Sequence, residues 1–170
     1  MADTNEWMAR YEEERRLRAA LQPEVDAYNK AALLGALATA GIFRVEVDFD
    51  GYGDSGQIER IAVVDPGDLS LDAPRGEVEI RRVRHDGSGV ESELKTLPSA
   101  IEQVCYDLLA AHHSGWENND GAYGDFVFDV RTGAITYTHN SRYTEVDTSV
   151  HELLGGGDGP LLPSRAVERP

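Results

Sequence analysis

An α+β fold is predicted: an antiparallel sheet of about five to six strands, two core helices on one face, and a peripheral N-terminal helix. Three observations predict it. Residues 43–50 alternate, with Phe43, Val45, Val47 and Phe49 on one side and Arg44, Glu46 and Asp48 on the other, the period of a half-buried strand. Two stretches, 25–40 and 101–109, place their apolar residues at helical spacing. The extended stretches follow one another through short glycine-bearing turns, which favours antiparallel pairing with the helices gathered on one side.

Residues 5–21 are rich in Glu, Arg, Ala and Leu, good helix formers, with Asp3 or Thr4 as a cap. Their apolar stripe (Trp7, Tyr11, Leu17, Leu21) is ragged, so residues 1–22 are expected to be peripheral. Pro23 suits the first turn of a second helix carrying Val25, Tyr28, Ala32, Leu33, Ala36 and Leu37 on one face and ending at Gly41. Residues 58–64 read as the return partner of 43–50. The intervening residues 50–57 look longer and more polar than a tight hairpin needs. Residues 65–76 read as irregular, 77–84 and 90–97 as a second hairpin across Asp86-Gly87-Ser88-Gly89. The helix at 101–109 is stopped by Gly115. Strands at 126–130 and 134–138 flank Arg131-Thr132-Gly133, and 142–152 is a last, weakly alternating extended run. Residues 1–154 form one domain, and 155–170, glycine-rich with little to bury, a flexible tail.

The composition bounds the function. Of the 170 residues, 41% are hydrophobic and 28% charged, ordinary for a globular chain. No apolar run reaches membrane-spanning length, and no segment reads as a signal peptide. The single cysteine, Cys105, lies on the apolar face of a helix, fitting a buried inert thiol in a reducing cytoplasm. The net charge is -15, and the excess is concentrated: residues 45–70 hold seven acids and one base, residues 99–153 nine acids and two bases. That sign argues against direct nucleic-acid binding and for a cation, a basic protein, or a site that otherwise holds DNA.

Both acidic segments contain Asp-Gly followed by Tyr-Gly-Asp. In the first, Asp50, Tyr52, Asp54, Ser55, Gln57 and Glu59 are the candidate binding residues; in the second, Trp116, Glu117, Asn119, Asp120, Tyr123 and Asp125. The stretch Thr138-His139-Asn140-Ser141-Arg142-Tyr143-Thr144 adds His139, Arg142 and Tyr143, with Arg142 expected to pair with a carboxylate. The two loops are expected to lie side by side as one surface.

Catalytic residues are not identifiable. There is no nucleophile elbow, phosphate loop or Cys-His pairing, and Ser55 between two glycines reads as an exposed turn serine. His112 and His113 are adjacent on a helix, diverge, and suit its carboxyl end. The clustered carboxylates could take a divalent cation, but their spacing does not match the calcium-loop pattern. No cofactor is therefore assigned. The leading expectation is a non-enzymatic acidic protein that engages a protein partner through the two loops; the alternative is a metal-dependent enzyme or small-ligand binder using the same carboxylates, with Asp54 and Asp120 sharing a cleft.

On these residues the chain resembles a small domain family of unknown function found in bacterial genomes and mobile elements. The likeness runs over about residues 29–153, through Phe49-Asp50-Gly51-Tyr52-Gly53-Asp54-Ser55-Gly56-Gln57-Ile58-Glu59, then residues 115–126, residues 139–144 and Ser149-Val150-His151-Glu152. The resemblance brings no established activity. A mobile-element setting implies a protein that restrains a host nuclease or regulator, for which DNA mimicry is one means.

Overall fold

The computed structural model describes residues 2–151, and the expected tail at 155–170 lies outside them. The elements are helix α1 (Ala2–Thr39), strands β1 (Arg44–Tyr52), β2 (Ser55–Val64), β3 (Ser70–Leu71), β4 (Glu77–Val83) and β5 (Val90–Thr96), helix α2 (Leu97–His112), and strands β6 (Ala122–Asp129) and β7 (Ala134–Ser141). The fold is α+β. All strands pair antiparallel, in a five-stranded sheet of order β3-β2-β1-β6-β7 and a separate two-stranded sheet, β4-β5.

The core lies between one face of the larger sheet and the helices. Val45, Val47 and Phe49 of β1, with Phe126 and Phe128 of β6, meet Leu33 and Leu37 of α1 and Ile101, Cys105 and Leu109 of α2. Val78 and Ile80 of β4 join the same cluster. Cys105 is buried, and burial pushes its thiol far above its ordinary pKa. Thr96 caps α2 by accepting from Ser99 N, and Pro98 occupies its first turn.

Four expectations need correction. Pro23 does not open a second helix: α1 runs through it as one 38-residue helix. Proline removes one helical hydrogen bond, but Val25 and Asn29 just beyond it are buried against the body, and that packing outweighs the local cost. The 50–57 segment is not a long loop. β1 and β2 pair as far as Tyr52↔Ser55, and Gly53 and Asp54, both at positive φ (60° and 68°), make a tight two-residue turn. β6 begins at Ala122 rather than 126, because Tyr123 and Gly124 pair with Asp50 and Phe49 of β1. The run after residue 141 forms no strand, and beyond the half-buried Arg142 it is exposed as far as residue 151.

One buried polar residue was not foreseen. Asn29 donates from Nδ2 to Arg81 O and accepts from Arg81 N, both at 2.8 Å, so its amide acts as one more strand residue against β4. A polar side chain is tolerated there because both its hydrogen-bonding functions are met.

Candidate functional site

The two Tyr-Gly-Asp segments do lie side by side. β1 and β6 are neighbours at the centre of the larger sheet, in a register that sets Asp50 against Tyr123 and Asp48 against Asp125. Beyond the strand ends the connection continues through backbone bonds. Gly53 N donates to Asn119 O (3.2 Å) and Asp54 N to Glu117 O (3.1 Å), so the β1–β2 turn is sewn to the loop that follows α2.

Trp116 fills the space beneath. Its ring lies over Gly51 and Gly56, where any side chain would overlap it, and meets Phe49 edge-on at 5.4 Å. Those glycines are therefore required by the close approach of the indole. Trp116 is used in packing, while Glu117 and Asn119 contribute backbone carbonyls to the junction.

Arg142 locks the assembly from the other side. Its guanidinium donates to both oxygens of Asp50 (2.8 and 3.2 Å) and to Gly51 O (3.1 Å), and lies 4.6 Å over the Tyr123 ring. The hydrogen bonds from Arg142 hold the Asp50 carboxyl below the ordinary aspartate range. The expected arginine–carboxylate pairing is present, and its partner is Asp50.

The remaining acids are set out on the solvent side of the sheet. Asp48, Asp50, Glu59, Tyr123, Asp125 and Asn140 line an open groove of about 330 Å³. Asp48 is paired with Arg60 at 2.6 Å, and Gln57 donates to Glu59 at 2.8 Å. Among the described residues no salt bridge involves Asp54, Glu59, Asp120 or Asp125. Around this apex Tyr52 is 70% exposed, Tyr123 46% and Tyr143 85%, and Ser55 is exposed beside the turn.

Asp120 lines a groove of about 420 Å³ with His113, Trp116, His139, Arg142 and Tyr143, and Asp54 is not part of it. That groove holds a group that adjacent-histidine reasoning missed. His113 and His139 stack at 3.6 Å between ring centroids, 4° from parallel, and the Tyr137 hydroxyl bridges both Nδ1 atoms at 3.0 and 2.6 Å. With one hydrogen, that hydroxyl donates to one imidazole and accepts from the other. Burial and the neighbouring His113 hold His139 below the ordinary histidine value, and burial pushes Tyr137 up to about 12. The parity of β7, which puts Ile135, Tyr137 and His139 on one side, was the available signal.

Among the described residues no three His, Cys, Asp or Glu side chains come together as a metal-binding group. A further hollow of about 350 Å³ lies between α1, β4–β5 and α2, lined by Gln22, Arg81, Arg82, Glu91, Lys95 and Asp107, and none of the sequence-predicted residues reaches it. Among the described residues no helix is long and apolar enough to cross a membrane.

A family model matches residues 25–153, which takes in every strand, α2 and the buried half of α1. The chain belongs to DUF6878, a family of unknown function. The DUF6878 match begins just past Pro23, so the exposed first half of α1, with Trp7, Met8 and Tyr11, lies outside it. The apex and all its tyrosines lie inside. No curated protein and no solved structure matches the chain.

Proposed function

We propose that this DUF6878 protein is a non-enzymatic binding module whose apex docks a cationic protein partner in the cytoplasm. One observation carries the reading. The apex is assembled in advance, by backbone bonds, the Trp116 plug and the Arg142–Asp50 pair, yet leaves Tyr52, Tyr123 and Tyr143 exposed. Tyr52 and Tyr123 are held on strands and so lose little entropy on binding, and tyrosines are enriched where proteins dock. The acids without a salt-bridge partner beside them set the sign of the partner, and the chain's -15 charge would steer it from a distance. In its sharpest form the partner is a nucleic-acid-binding protein whose basic groove the carboxylates occupy in place of phosphates.

The reading is favoured over a metal-dependent site because Asp48 and Asp50 are already engaged by Arg60 and Arg142. The test is affinity capture from bacterial lysate in a graded salt series. A partner retained at low salt and released as screening rises is expected. Recovery of nothing at low salt would count against the proposal. The mimic form fails if the captured partner still binds DNA normally while complexed.

A further inference from the structure

Every strand edge in the described fold is guarded except one. At one side of the larger sheet, β3 is only two residues long and pairs with Val63 and Val64 alone, so the rest of β2 is edge as well; that stretch carries Glu59 and Arg60, has a register break opposite Asp48 and Phe49, and is met by Tyr106, whose hydroxyl accepts from Ile58 N. In the smaller sheet, β4 is met by Asn29 at Arg81, and β5 carries Glu91, Glu93 and Lys95. These are the devices by which edge strands avoid unwanted pairing: shortness, a covering residue, charge. β7 has none of them. Its eight residues, Ala-Ile-Thr-Tyr-Thr-His-Asn-Ser, include no acid, lysine, arginine or proline, and its register against β6 runs without a break.

The register also shows which backbone groups are free. Arg142 N donates to Gly121 O at 2.9 Å, which makes every second residue back along β7 face β6. The N–H and C=O of Ile135, Tyr137 and His139 therefore point away from the sheet, and among the described residues no backbone bond outside the β6 ladder reaches them.

We propose that β7 is a receiving edge, to which an extended segment of a basic partner protein adds as a sixth strand. The proposal rests on the cationic-partner reading above and names the form in which that partner binds. Charge selects the occupant. A second copy would bring another -15, whereas lysines or arginines on an added strand would be drawn in. Side chains on the solvent face of such a strand would lie beside Thr136, Thr138 and Asn140. Asp125 and Asp129 of β6 would then be two strand spacings away, about 10 Å, within the screening length of ordinary buffers. Side chains of opposite parity would face Ile135, Tyr137 and His139. The favoured segment thus alternates basic and apolar residues, in the manner of strand addition.

The test is residue-resolved hydrogen exchange on the full chain, with a short peptide alternating lysine and valine as probe and a glutamate–valine peptide as control. The amides of Ile135, Tyr137 and His139 should slow with the lysine peptide, roughly tenfold at about ten times its Kd, and not with the control. Binding of the lysine peptide without slowing at these amides would overturn strand addition while leaving the cationic-partner reading intact. No binding at low salt would overturn both. A chain that is dimeric alone, with the three amides already protected, would assign the edge to a second copy and overturn the proposal.

Discussion

Arg142 is the residue on which the apex turns, since it ties Asp50 of β1 to the end of β7 and covers Tyr123. Its hydrogen bonds lower the pKa of Asp50 in the folded state. A depressed carboxylate pKa contributes stability that is fully present above the unfolded value, near ~3.9, and is lost as pH falls through the folded one. Arg142→Ala should therefore lower the melting temperature more at pH 7 than near pH 3. Equal losses at both would show that the pair contributes nothing through charge. Gly121 makes a second residue-scale prediction. It sits at φ 75°, and a Cβ there would overlap Gly51 O, so Gly121→Ala should cost roughly 2–4 kcal/mol in denaturant unfolding, from positive φ and overpacking together. Asn29→Ala leaves both Arg81 backbone groups without their partner and should cost about 2–3 kcal/mol by the same measurement.

At the scale of elements, β1 and α2 were legible because their periodicities are regular and one side of each is fully buried. The ends of β1, β2 and β6 were not. Gly51, Gly56 and Gly124 interrupt the alternation and read as loop, but two of them are small because Trp116 lies on them, and the third because Phe49 and the β7 backbone press on it. A glycine forced by a tertiary contact looks the same in sequence as a glycine in a turn. The Gly53-Asp54 turn carried a readable signal, a glycine-containing pair between two strands, masked by the polar residues around it. Pro23 misled for the opposite reason: the local rule is sound, and burial of Val25 and Asn29 overrides it. Pro23→Ala should accordingly stabilise α1, by up to about 3 kcal/mol, with an unchanged family-domain fold. A melt that does not rise would mean the proline is fully accommodated by the helix.

Across the whole molecule, Asp48, Asp50 and Glu59 of one acidic segment and Asp125 of the other share one groove because β1 and β6 are neighbours, an adjacency that requires a crossover no local pattern encodes. The candidate residues of the two loops were legible as types; their division of labour was not. Trp116 and Gly51 pack, Glu117 and Asn119 supply carbonyls, Arg142 and Asp50 lock, and Tyr52, Tyr123, Tyr143, Glu59 and Asp125 are the residues that the proposed binding would use. The most direct measurement compares capture by the wild-type chain with capture by a Tyr52→Ala, Tyr123→Ala, Asp125→Asn variant of matched melting temperature. The expected result is a salt-sensitive protein held by the wild type and lost by the variant. An identical set of proteins on both, or none on the wild type at low salt, would contradict it.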